Sequence, residues 1–120
     1  MDRIQIVSHR GKQIVVVDFS GLTATEYPAV MRQAMTFIGS LNKGEVLTAT
    51  VVEGTRFGVG TTDDVKAYSA HIRPYVKASA VVGLSGLQRV IFATVRPFLS
   101  QNLQSFDDLE MAKDWLASQG

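Results

Sequence analysis

Residues 14 to 17 read Ile-Val-Val-Val. Successive side chains on a strand point to opposite faces, and β-branched residues fit a pleated surface. An unbroken run of this kind therefore needs cover on both faces, as strands inside parallel sheets have. That requirement constrains the chain more than any other feature, because it places one strand between two packed layers. The preceding stretch, Arg3-Ile4-Gln5-Ile6, alternates instead. Ile4 and Ile6 share one side and Arg3 and Gln5 the other, the pattern of an edge strand with one wet face. Gly11 and Lys12 mark a turn, so the two strands are spaced for a hairpin.

Helical spacing follows. Tyr27, Met31, Ala34, Ile38 and Leu41 recur three and four apart and share a face. Thr23 and Glu26 have the spacing of a capping box. A start there would set Pro28 at the fifth helical position, against the carbonyl of Ala24. A start at Thr25 places Pro28 in the tolerated first turn. Residues 45–53 then read as a third strand, and 62–77 as a second helix with Val65, Tyr68, Ile72 and either Tyr75 or Val76 on one side. Asp63 and Asp64 at its start, with Arg73 and Lys77 near its end, complement the helix dipole. Pro74 should bend or end it. Residues 79–84 form a fourth strand and 87–101 a third helix, with Leu87, Ile91, Thr94, Val95 and Phe98 inward. Residues 103–106 give a short fifth strand. Residues 107–118 close as a helix with Leu109, Ala112, Trp115 and Leu116 inward.

The order ββαβαβαβα predicts a single α/β domain over residues 1–120, with about five strands in a mostly parallel sheet and about four helices. The first strand is expected antiparallel at an edge. The chain's 120 residues and 46% apolar content suit one core. Its 12 basic and 11 acidic residues leave a net charge of +1, without the clustered Lys and Arg that nucleic acid needs. Absence of cysteine removes disulfide, thiolate and cysteine–zinc chemistry. No stretch reaches the roughly 18 apolar residues of a membrane helix, and the N-terminus lacks a secretory pattern. A cytoplasmic protein, bacterial in style, is the expectation.

Ligands of parallel sheets gather outside the carboxyl ends of the strands. Three loops fall there: residues 18–25, 53–63 and 83–87. The second carries Gly54, Gly58 and Gly60 and leads into the second helix. It lacks the Gly-Lys-Ser/Thr ending of a P-loop and does not match a dinucleotide fingerprint. It reads either as a mobile loop or as a recognition loop. In the second case Arg56 and Phe57 are the leading contacts, with Gly58, Thr61, Thr62 and Asp63 beside them. A charged head next to an exposed aromatic is common in interfaces. No catalytic set emerges. Ser85 sits in Gly-Leu-Ser-Gly, whose second glycine comes one residue early for a nucleophile elbow; it reads as a helix N-cap. Asp64 and His71 lie two helical turns apart, about 10 Å, too far for one ion. Asp18 reads as a loop cap. No metal or cofactor is expected. Helical projection sets Phe92 and Leu99 on the outer side of the third helix, as a partner surface, a homodimer seam, or a face covered by neighbours.

Three stretches together carry a family resemblance: Ile14 to Gly21, Ala78 to Phe98, and the tail Ser105 to Ser118 with its aromatic, acids and Trp115-Leu116 pair. The chain resembles the STAS domain of anti-sigma-factor antagonists, most nearly the SpoIIAA-like group labelled STAS/SEC14. The resemblance implies a non-catalytic protein-interaction or small-ligand module. It also implies a phosphorylatable hydroxyl between the third strand and second helix. The Ser-Gly pair of that motif is absent here, and Thr61 and Thr62 are the nearby hydroxyls. Three readings follow. The first is a regulatory module binding a protein partner or itself through the Arg56 and Phe57 loop. The second is a carrier of a small apolar ligand or lipid, motivated by Met31, Met35, Phe37, Phe92 and Phe98 on helices facing a thin sheet. The third is a switch phosphorylated on Thr61 or Thr62.

Overall fold

The computed structural model describes residues 3–58, 60–98 and 102–119. Its strands are β1 (Ile4–His9), β2 (Lys12–Asp18), β3 (Val46–Val51), β4 (Val76–Val82) and β5 (Leu103–Phe106). Its helices are α1 (Tyr27–Gly39), α2 (Thr61–Ile72), α3 (Leu87–Val95) and α4 (Leu109–Ala117), with a 3-10 turn over Arg96–Phe98. The five strands lie in the order β1-β2-β3-β4-β5. β1 pairs antiparallel with β2, and every later pair is parallel. The expected α/β order and the antiparallel edge strand are both present.

Each parallel step moves to the next strand on the same side. Right-handed crossovers therefore put α1, α2 and α3 on one face. That face buries Val15, Val17, Val46 and Val52 of the sheet beneath Tyr27, Ala34, Ile38 and Tyr68. The register brings Thr48 and Thr50 of β3 and Ser79 and Val81 of β4 to the same side. The opposite face carries Ile14, Leu47, Ala49, Ala78, Ala80 and Val82, covered by Ala112 and Leu116 of α4. Small residues at Ala49, Ala78 and Ala80 let α4 lie close against the strands. Asp108 fixes its start, its side chain accepting the Met111 amide at 2.8 Å.

Several boundaries differ from expectation. α1 begins at Tyr27, not Thr25, with Pro28 in its first turn. Glu26 does accept the Thr23 amide at 3.0 Å, as half of a capping box, but within a turn that precedes the helix. α2 stops at Ile72, before the expected Lys77, and of the two effects expected of Pro74 the helix shows an end just before it and not a bend. Lys77 is on β4, which starts three residues before the expected strand. On α3, Val95 is buried and Ile91 half-buried as expected, but Thr94 is exposed. The side chains of Leu87 and Phe98 lie outside the described residues.

Leu116 is 0% exposed and Met111, on the same helix, is 55% exposed. Leu116→Ala is expected to cost about 2–5 kcal/mol, whereas Met111→Ala should stay within about 0.5 kcal/mol. Urea denaturation of the two variants checks this, and equal costs would mean that α4 does not seal the second face.

Candidate functional site

The three expected loops meet at the carboxyl edge of the sheet. Phe19 and Gly21 donate backbone amides to Val51 and Glu53, and the Arg56 amide donates to Leu22. Thr55 Oγ1 donates to the Phe19 carbonyl at 2.7 Å. Arg3 reaches the carbonyls of Asp18 and Ser20, and Asp18 Oδ1 accepts the Ser20 amide at 2.8 Å, the loop-capping role expected of it. At Gly83, φ is +87° and an added Cβ would lie 2.9 Å from Glu53 Cβ and 3.1 Å from its Cα, so only glycine lets the third loop approach the second.

Gln88 joins these loops. It is 6% exposed. Its amide nitrogen donates to the carbonyls of Val52 at 2.8 Å and Thr55 at 2.7 Å, and its oxygen accepts the Ser85 amide at 3.1 Å. α3 is therefore fastened by the Gln88 carboxamide and not by a serine cap. The expectation for Ser85 is corrected: Gly86 is the N-cap, without a side-chain cap bond. Spacing alone could have found Gln88, because 88, 91, 92 and 95 recur three and four apart; a polar residue on that stripe hid it.

The same stripe corrects the projection of Phe92. Phe92 faces inward and packs against Val95 and Leu103, so it is not an outer seam residue. A central Gln88 turns the face toward Phe92, away from Thr94. Leu99 lies outside the described residues. Val90 is a large apolar residue that α3 exposes, at 62%.

In the second loop, Arg56 is exposed as expected, but Phe57 is half-buried. The Phe57 ring meets Tyr27 edge-on at 6.1 Å, so it is not the exposed aromatic expected beside Arg56. The Gly58 amide donates to Thr61 Oγ1 at 2.8 Å. The Tyr27 hydroxyl hydrogen-bonds Thr61 Oγ1 at 2.9 Å and Asp64 Oδ2 at 2.7 Å. Thr61 is 1% exposed, so its hydroxyl is a structural joint between α1 and α2. Thr62 and Asp64 are half-buried and Asp63 is exposed. His71 stands apart, beside Arg32 and Tyr75 in an open cleft between α1 and α2. Among the described residues no group of three or more His, Cys, Asp or Glu could hold a metal ion, and no helix is long and apolar enough to cross a membrane.

Behind the loops, α2 and α3 flank a partly open cavity of about 110 Å³ against β3 and β4. Its floor includes Thr50, Ser79 and Val81, and its rim Phe19, Phe57 and Gln88. Half-buried Val65, Ser69, Ile91 and Phe92 line the seam between the two helices. No Asp, Glu, Lys, Arg or His lines it among the described residues. Ser79 meets its need by bonding to Thr48, and Gln88 is fully bonded. Tyr68 differs. Its ring packs edge-on to Phe19 at 6.4 Å, and its buried hydroxyl has no hydrogen-bond partner among the described residues. Burial raises both Tyr68 and Tyr27 above the ordinary phenol value of 10.0. The sequence marked Tyr68 as a core position but gave no sign that its hydroxyl would be buried without a partner among the described residues.

Neither the comparison with protein-family models nor that with curated proteins finds a match. Among solved structures, the chain is similar to an uncharacterised protein of the DUF3478 family from Shewanella loihica PV-4, described as having a SpoIIAA-like fold. The TM-score is 0.71 at 17% identity, over 94% of this chain and 91% of that one. The chain thus has a SpoIIAA-like fold, the STAS arrangement that the resemblance implied.

Tyr68→Phe removes a hydroxyl without a partner, so stability at neutral pH should hold or rise by up to about 1 kcal/mol. Below pH 10 both folded and unfolded chains keep the phenol protonated. Above it, only the unfolded chain releases the proton, so the raised folded value means stability lost as pH rises. The native protein should therefore lose stability faster than Tyr68→Phe above about pH 10. Denaturant titrations across pH test both points. A clear loss in the variant at pH 7 would show that the hydroxyl is bonded.

Proposed function

We propose that this chain is a non-catalytic STAS-like module that holds a small apolar molecule between α2 and α3 and meets a protein partner at its loop rim. The cavity carries this reading. Its walls are mostly apolar, it is backed by the sheet, and among the described residues no His or carboxylate lines it for general acid–base chemistry. Its volume of about 110 Å³ is somewhat below the roughly 150 Å³ at which an apolar cavity takes up benzene or xenon. A compact ligand suits it better than a long lipid chain held whole.

The rim is the second half of the reading. Phe19, Thr55, Phe57 and Gln88 line the cavity and also hold the loops in place. A ligand that shifts these side chains alters the surface around exposed Arg56. A phosphoswitch on Thr61 is less well supported, because a kinase would have to reach a hydroxyl that is buried and already bonded twice.

Titration with benzene, followed by amide chemical shifts, tests the cavity. Shifts should gather on α2, α3 and β4. They should vanish in Ser69→Leu, which fills the seam without disturbing a named hydrogen bond. A native protein with no localised response would rule out the ligand reading.

A further inference from the structure

We infer that the outer edge of β1 pairs with β1 of a second copy of this chain, antiparallel about a two-fold axis through Ile6. β1 pairs with β2 on one side and with no described strand on the other. The register shows which backbone groups point outward. In an antiparallel ladder the N–H and C=O of one residue point the same way, and alternate residues point to opposite sides. The Asp18 amide donates to the Arg3 carbonyl at 2.7 Å, so Arg3 faces β2. Gln5, Val7 and His9 follow it, and Ile4, Ile6 and Ser8 turn their N–H and C=O to the outer edge. A row of such groups is a template for another strand.

Three features fit a second copy as that strand. The outward residues are spaced evenly about Ile6. A two-fold axis there sets Ile6 against Ile6, and Ile4 against Ser8 in both directions, so each outward group has a counterpart. The side chains agree with the backbone. Ile6 is 45% exposed and lies beside Val15 and Leu41 in an open groove. An axis normal to the sheet keeps the α1 side of both copies together, so Ile6 is covered by its own image. The edge also lacks the usual obstacles. Ile4 to Ser8 contains no proline and no charged residue, and the β1–β2 register runs without a bulge. In this register Arg3 comes opposite His9 of the second copy. Each already has a carboxylate: Arg3 lies 3.9 Å from Asp18 Oδ1, and His9 Nε2 is 2.7 Å from Asp114 Oδ1. No unbalanced like charge opposes the pair.

One strand pair is small beside a standard interface, so the dimer is weak and fills at high protein concentration. Among the described residues no member of β1 or β2 lines the cavity, so this surface stands apart from the ligand reading.

Amide exchange followed by NMR reads the edge directly. Between about 20 μM and about 1 mM protein, exchange at Ile4, Ile6 and Ser8 should slow by about three- to tenfold. The amides of Gln5 and Val7, which face β2, should be protected at both concentrations. Sedimentation velocity over the same range should show monomer giving way to dimer. Ile6→Lys sets two like charges on the axis and should leave the chain monomeric, as should Ile6→Glu. An equimolar mixture of the two variants should recover the dimer, which a merely destabilised fold would not do. Edge amides that exchange freely at both concentrations overturn the inference. So does protection that is the same at both, since the edge is then covered within one chain. A mixture that sediments no faster than either variant alone places Ile6 away from the axis and overturns it as well.

Discussion

Strands β2, β3 and β4 bury both faces, and that demand places every other element. Ile14, Leu47 and Ala80 look toward α4, while Val15, Val17 and Val52 look toward the first three helices. Apolar area removed from water is the main favourable term in folding, at about 25 cal/mol per Å². A sheet open on either side would forgo half of it. Three right-handed crossovers in one direction cover one face and leave the other bare. α4 is the remedy, which is why a short terminal helix holds fully buried Ala112 and Leu116.

The two faces are not equivalent. The α4 side has a smooth floor of small residues, and the single helix closes it. On the other side the middle strands present Thr48, Thr50 and Ser79 among the valines, and three helices must share the area. Thr48 and Ser79 satisfy each other, and so can be buried at little cost. The small side chains of Thr50 and Ser79 leave space under α2 and α3 that Val81 and Phe92 do not fill. The cavity follows from small floor residues beneath helices held apart by their connections. Tyr27 and Gln88 fix those connections, one through Thr61 and Asp64, the other through Val52 and Thr55.

Much of the fold was legible because it rests on local periodicity. The run from Ile14 to Val17 announced a doubly covered strand, and the three- and four-residue spacing from Tyr27 to Ile38 announced a helix. Boundaries were less legible where two signals overlapped. Val76 and Lys77 extended the helical pattern of α2 on paper, yet they belong to β4, because pairing with β3 outweighs helical spacing. At the site, the loop cluster and the exposure of Arg56 could be read from strand order. The inward turn of Phe57 and Phe92 could not, since one depends on Tyr27 from another helix and the other on where Gln88 anchors α3.

The sequence by itself determined the alternation of strands and helices, the antiparallel edge, and which strands need two covers, because these depend on neighbours a few residues apart. Only the tertiary structure decided that Thr61 is a buried joint, that Gln88 binds the second loop, and that the Tyr68 hydroxyl is buried without a partner among the described residues. Those facts arise between residues that are distant in the chain. Their hydrogen bonds and empty space exist only once the helices have been set on the sheet.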